Sequence, residues 1–330
     1  MRFQVVAIGL LLLLVRASAS EVGFRQIQVP DVPGKPLAAG VWYPSSGQAS
    51  TQTVGPFEQD VILNGPIAGT NLPAIFFSHG TAGSLASHYD TALALARAGF
   101  VVVAITHNGD NGQDQSYTGN NINLIERPRQ LEQVIHFILS DWTDRSRLDP
   151  ERVGLFGFSL GGFTVLVEGG GMPDLGRIKQ LCEERPAAPE CDFIRKRRGD
   201  MLTPIANAPA WVHDARIRAA VVAAPAVAYL FPPGGLRQVK MPVQLWRAAA
   251  DQNAPDAWNS AVVAAGLPVA ELHTVPNANH YAFLPPCTDT LRQFAAFICA
   301  DEPGFDRAGF HRQFNREVVA FFEKTLHAGQ

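Results

Sequence analysis

Apolar positions along this chain gather into short runs separated by polar stretches rich in Gly and Pro. Leu72-Pro73-Ala74-Ile75-Phe76-Phe77 is nearly all apolar, and so are residues 100–105 and Val153-Gly154-Leu155-Phe156. Runs of this length without alternation predict strands buried on both faces. Between them the spacing becomes helical. Residues 85–98 carry Leu85, Leu93, Leu95 and Ala96 and stop at Gly99; residues 122–140 are amphipathic and interrupted early by Pro128. A helix is also predicted after Ser159. Strands are predicted over 217–224, 241–246 and 269–275, with a helix over 254–265 between the last two. Residues 22–29 alternate like a strand, and 37–43 read as its hairpin partner. The polar stretches 45–69 and 107–121 read as loops. The tail, 305–326, places Phe310, Phe314, Val318, Phe321 and Phe322 at helical spacing, a stripe suited to core packing.

Buried strands alternating with helices imply an α/β fold, a mostly parallel central sheet with helices on both faces. The alternation stops at about 169–215, a stretch rich in Gly, Pro and charge. It reads as a cap or lid inserted over one end of the sheet. Arg195-Lys196-Arg197-Arg198 lies within it and reads as a solvated helix face.

Composition adds a compartment. The chain has 330 residues, 47% of them hydrophobic, and a net charge of −3. That supports a sizeable core and gives no basic surface for nucleic acid or an anionic membrane. Residues 1–20 join Arg2, an apolar run from Val5 to Val15, and the small residues Ala17-Ser18-Ala19, the pattern of a secretory signal peptide. The run is short for a bilayer, and no Cys follows it to carry a lipid, so no stable membrane anchor is expected. A single domain over 21–330, secreted or periplasmic, is the expectation. An even set of cysteines in an exported chain suggests disulfides, and proximity favours Cys182 with Cys191 and Cys287 with Cys299. No Cys–His cluster has metal-ligand spacing, so no metal is expected.

The candidate chemistry centres on Gly157-Phe158-Ser159-Leu160-Gly161, a G-x-S-x-G pattern between a strand and a helix. A serine on such a tight turn is crowded by the residues two positions either side, where only glycine relieves the contact. A serine hydroxyl needs a base, and the base needs an orienting carboxylate. Acting groups of open α/β sheets sit past the carboxyl ends of strands. Asp251 follows the strand 241–246, and His280 follows 269–275, giving the order Ser, Asp, His. Asp256 reads as a solvated helix charge. Asp214 and His213 precede a strand, at the wrong end of the sheet, and His273 lies inside one. The backbone N–H groups of Thr81, in the Gly-rich loop after 72–77, and of Leu160 are the candidate oxyanion donors. His79 reads as a turn residue bonding neighbouring loops. Phe158, Tyr281 and Phe283 flank these positions and are candidate pocket residues.

These residues resemble the α/β-hydrolase superfamily, and within it the dienelactone hydrolases and platelet-activating-factor acetylhydrolase-like esterases. The likeness spans most of the chain after the leader. It rests on Val41-Trp42-Tyr43-Pro44, Phe77-Ser78-His79-Gly80, Gly157 to Gly162, Asn279-His280, and Gly304-Phe305-Asp306-Arg307 with Phe310-His311. The resemblance implies hydrolysis of small-molecule carboxylic esters through an acyl-enzyme, without a cofactor. Two departures stand out. Dienelactone hydrolases carry a Cys nucleophile where this chain has Ser159. The acetylhydrolases carry their Asp one strand earlier, where this chain has Ala223-Ala224-Pro225-Ala226, which leaves the role to Asp251. The same three residues would also serve a thioesterase, an amidase, a polyester hydrolase or a peptidase; a non-catalytic binding module on this scaffold is the alternative outside enzymes.

Overall fold

The computed structural model describes residues 21–32, 34–203, 210–211 and 213–326. The leader expected over 1–20 and residues 204–209 and 212 of the expected cap lie outside the described residues. Strands run in chain order as β1 (Glu21–Val29), β2 (Leu37–Ser45), β3 (Ser50–Val54), β4 (Phe57–Leu63), β5 (Leu72–Ser78), β6 (Val101–Ile105), β7 (Leu148–Phe158), β8 (Ile217–Ala223), β9 (Val243–Ala248) and β10 (Glu271–Val275). They form one 10-stranded sheet in the order β10-β9-β8-β7-β5-β6-β2-β1-β4-β3. From β6 to β10 every neighbouring pair is parallel. β2 lies antiparallel on β6, and β1 antiparallel on β2.

The apolar runs explain the central strands. β6 is buried at every position, and β5 at all but its first. Successive residues of β5 face opposite layers. Ala74 and Phe76 pack with helix α2 (Asn121–Ser140) and helix α3 (Leu160–Glu168), through Leu131, Val134, Ile135, Phe163 and Val165. Ile75 and Phe77 pack with helix α1 (Tyr89–Arg97) and the C-terminal helix (Arg307–Leu326), through Leu95, Phe314, Val318 and Phe322. The C-terminal aromatic stripe is core, as its spacing suggested.

The stretch 45–69 is not the expected loop. β3 and β4 form an antiparallel hairpin there, extending the sheet edge. β4 alternates, with Phe57, Gln59 and Val61 buried and Glu58 and Asp60 exposed, and Gln59 accepts a hydrogen bond from the buried Trp42 indole at 2.9 Å. Buried glutamine on the inner face hid the period from a purely apolar count. The helix expected over 85–98 begins only at Tyr89, because 84–88 form hydrogen-bonded turns. The helix expected over 254–265 is a 3-10 turn, Asp256–Trp258, followed by α6 (Ser260–Gly266).

The insertion after α3 contains α4 (Arg177–Glu184) and α5 (Pro189–Arg197), tied by a Cys182–Cys191 disulfide. The chain between β10 and the C-terminal helix holds α7 (Asp289–Phe294) and α8 (Ala296–Cys299), tied by Cys287–Cys299. The final helix is therefore α9. Among the described residues no helix is long and apolar enough to cross a membrane, and no group of His, Cys, Asp and Glu is placed to hold a metal ion.

Candidate active site

Four loops at the carboxyl end of the parallel strands converge. Ser159 follows β7 directly, at φ 55° and ψ −121°, and caps α3. Its own N–H donates to Ala223 O at 3.0 Å, and its carbonyl accepts from Gly162 N–H at 2.9 Å and Ala226 N–H at 3.0 Å. The turn is thus bonded on three sides in a conformation non-glycine residues rarely adopt. A Cβ at Gly157 would strike the Gly161 carbonyl, and one at Gly161 would strike the Ser78 and His79 carbonyls.

His280 Nε2 lies 2.8 Å from Ser159 Oγ, and His280 Nδ1 lies 2.7 Å from Asp251 Oδ2. A carboxylate only accepts, so Nδ1 carries the proton and Nε2 is left free to accept the serine hydroxyl. Asp251 Oδ1 is held by the N–H groups of Asn253 at 2.9 Å and Ala254 at 2.7 Å. All three side chains are at least nine-tenths buried. Thr81 and Leu160 line the same cavity as Ser159. Among the described residues no loop, cap or side-chain hydrogen bond uses the backbone N–H of either.

The rival residues are engaged elsewhere. Asp256 pairs with Arg247, Asp214 with Arg216, and His213 Nδ1–H donates to Val167 O at 2.8 Å. His273 stacks on Trp246 and bonds Glu271 and Glu317. His79 is a buried turn residue. Its Nδ1–H donates to Gly80 O at 2.6 Å, and its Nε2 accepts from His107 N–H at 3.1 Å. Burial, reinforced by the Arg127 charge, pushes it down to about 3, so it stays neutral. His107 is likewise held well below the usual histidine range by burial and then Arg127; it bonds Ser78 Oγ and Gln130 Oε1.

Above the serine opens a cavity of about 590 Å³. Its floor includes Phe158, Ser159, Leu160 and His280. α5 with the residues after it lines the cavity through Phe193, Ile194, Arg197 and Met201, and the second disulfide-tied segment through Leu291, Phe297 and Ile298. Pro56 and Phe57, at the tip of the β3–β4 hairpin, close a third side. Of the candidate pocket residues, Phe158 and Tyr281 line the cavity. Phe283 does not: it is fully buried behind the floor, packed on Phe158, Phe310 and Phe314, because the 3-10 turn at His280–Phe283 rotates it into the core.

This arrangement can activate an alcohol oxygen beside two free N–H groups under an apolar roof. The alpha/beta hydrolase family matches the chain over residues 75–296. The chain belongs to that family. Among solved structures, this hydrolase is similar to a ferulic acid esterase from Streptomyces cinnamoneus, with a TM-score of 0.61 at 15% identity, covering 94% of this chain and 92% of that one. At that identity the likeness concerns the fold. No curated protein matches the hydrolase in sequence.

Sequence reasoning passed over three parts of the site. Asp110 and Arg127 form an ion pair with both side chains fully buried; in the sequence they are one charge in a polar loop and one on an amphipathic helix. The wall residues Phe193 and Phe297 carry no local signal. The hairpin tip at Phe57 was hidden by the loop assignment of 45–69.

Proposed function

We propose that this alpha/beta hydrolase is an exported serine esterase acting on carboxylic esters through an acyl-enzyme. The observation that carries the reading is the hydrogen-bonded chain Ser159–His280–Asp251, at 2.8 and 2.7 Å, on the floor of an apolar cavity. Ser159 Oγ attacks the ester carbonyl carbon while His280 Nε2 takes its proton. Asp251 holds the imidazole tautomer and stabilises the imidazolium. The N–H groups of Thr81 and Leu160 stabilise the oxyanion; one such donor is worth about 3 kcal/mol. His280 returns the proton to the leaving alcohol. Water then attacks the acyl-enzyme by the same route, restoring Ser159.

The domain is proposed as 21–330, with the stretch about 169–215 as its cap. Two disulfides support export, since such bonds persist in oxidising compartments. The finer likeness to dienelactone hydrolases and acetylhydrolases rests on the motifs quoted above. The walls Phe57, Phe193, Tyr281 and Phe297 suit an ester with an alkyl or aromatic group, and a ferulate ester belongs in any substrate panel beside short acyl esters. Matched thioester, amide and polyester substrates separate the related activities.

The test is Ser159→Ala, assayed on short p-nitrophenyl esters and with a fluorophosphonate probe. The expected result is a fall in kcat of about 10⁴-fold or more and loss of labelling. Activity within tenfold of the parent would remove Ser159 from the nucleophile role.

A further inference from the structure

Beside the oxyanion loop, and touching none of the triad, lies the Arg127–Asp110 ion pair. Arg127 Nη1 donates to Asp110 Oδ2 at 2.8 Å, and both side chains are 0% exposed. Desolvating two charges costs several kcal/mol each, and apolar residues of the same volume often stabilise a core equally well. The pair's remaining hydrogen bonds show where it acts. Arg127 Nη2 donates to His79 O and, at 3.3 Å, to Ser78 Oγ, and Arg127 Nε donates to Thr164 Oγ1 at 3.3 Å. Thr164 Oγ1 in turn donates to Leu160 O at 3.0 Å, on the first turn of α3. Asp110 Oδ1 accepts from Ala82 N–H at 3.2 Å and from Thr118 Oγ1 at 2.9 Å; its Oδ2 also accepts from Asn123 Nδ2 at 3.0 Å.

His79 and Ala82 bracket Gly80-Thr81, and Leu160 opens α3. One guanidinium–carboxylate unit therefore grips both segments that carry the free N–H groups. Ala82 sits at φ 58°, a left-handed conformation that non-glycine residues rarely adopt. Its N–H is held there by Asp110. Packing offers no substitute, because the loop from Gly80 to Gly83 has almost no side chain to pack. Polar bonds with fixed directions are what can hold such a backbone.

We propose that Asp110 and Arg127 are positioning residues that fix the spacing between the Thr81 and Leu160 N–H groups, and so act on the transition state rather than on substrate binding. This rests on the esterase reading above. The carboxylate sets one donor through Ala82. The guanidinium sets both, through His79 O and through Thr164.

The test compares a short p-nitrophenyl ester with its thionoester, in which sulfur replaces the carbonyl oxygen. Sulfur is a weak acceptor and draws little from an N–H pair. Full-chain Asp110→Asn and Arg127→Lys are assayed on both substrates, with near-UV circular dichroism to check folding. The expected result is a fall in ester kcat of about 10- to 100-fold, KM within about threefold, and thionoester kcat within about threefold. The ester-to-thionoester ratio then collapses. Parallel losses on both substrates, or unchanged ester kcat in a folded variant, would overturn the proposal. If Asp110→Asn does not fold, Arg127→Lys decides alone, since it keeps a cation for Asp110 and gives up only the planar fork. If neither variant folds, the pair is a structural bond and the positioning role is overturned. The esterase reading fails differently: parent protein that neither cleaves the ester nor labels at Ser159 refutes it, whatever the two variants do.

Discussion

Ser159 and its glycines show how far local sterics reach. A Cβ at Gly157 would meet Gly161, four positions along the same turn, so the G-x-S-x-G pattern carries that contact within itself. A Cβ at Gly161 would meet the carbonyls of Ser78 and His79, from a distant strand end. The pattern thus encodes a close approach whose partner only folding supplies. The buried histidines make a second residue-scale point. His79 and His88 are each pushed by burial to about 3 from an ordinary 6.5. Between those values the unfolded chain binds more protons than the folded one, so stability falls as pH drops from 6.5 towards 3. At pH 5 the expected loss is about 2 kcal/mol for each of the two. Urea midpoints at pH 7.5 and 5.0 check this, and a midpoint that does not move would refute the neutral-histidine reading. His79 was legible as a turn residue, but nothing in the sequence separates His88 from a solvent-facing histidine; burial does, and burial is a property of what packs around it.

At the scale of elements, the cavity is walled by two segments that are each stapled. α5 is tied back to α4 by Cys182–Cys191, and the α7–α8 segment is closed by Cys287–Cys299. Both pairings were legible from spacing alone, since short separations in an exported chain favour local closure. That both tied segments line one cavity was not legible. Replacing Cys182 and Cys191 together by Ser is expected to cost about 2–3 kcal/mol. It should raise KM for bulky aromatic esters several-fold and leave kcat on an acetyl ester within about twofold, because Phe193 and Ile194 line the wall while the serine turn rests on the sheet. Calorimetry and a two-substrate kinetic comparison measure both effects; an equal loss on the two esters would count against the wall assignment. The β3–β4 hairpin is the element that sequence periodicity missed. Gln59 takes an inward position there; its Oε1 accepts from Trp42, on another strand, and its buried Nε2 has no side-chain or backbone partner among the described residues.

Across the whole molecule, the two core layers flank the sheet, and the polar site occupies its carboxyl end. Away from that site lies a buried carboxyl with neither oxygen hydrogen-bonded among the described residues, that of Glu168 at the last position of α3. Burial, with Glu132 and Asp214 adding, raises its carboxyl well above the usual value of 4.5. A carboxyl raised in the folded state contributes stability below the unfolded pKa and loses it as pH rises through the folded one. Glu168→Met is therefore expected to stabilise the protein by about 1–3 kcal/mol at pH 8, with a gain that shrinks below pH 4.5. Denaturant titrations at the two pH values test this; equal gains at both would show that ionisation is not the cause. The trend opposes that of the histidines and overlaps it between pH 4.5 and 6.5, so the urea comparison at pH 7.5 and 5.0 is made in the Glu168→Met background, where of the two only the histidine effect remains.

The sequence by itself determined the strand–helix alternation, the strained serine turn, the order Ser159, Asp251, His280, and the two cysteine pairs. Each is written in residue type and spacing over a short stretch, or in the rule that acting loops follow parallel strands. Only the tertiary structure decided that Phe283 faces the core, that Phe57, Phe193 and Phe297 share one cavity, and that Asp110 and Arg127 meet behind the Gly80–Gly83 loop. Those facts depend on which faces of distant elements come together, and no local pattern carries a long-range contact before the chain has closed around it.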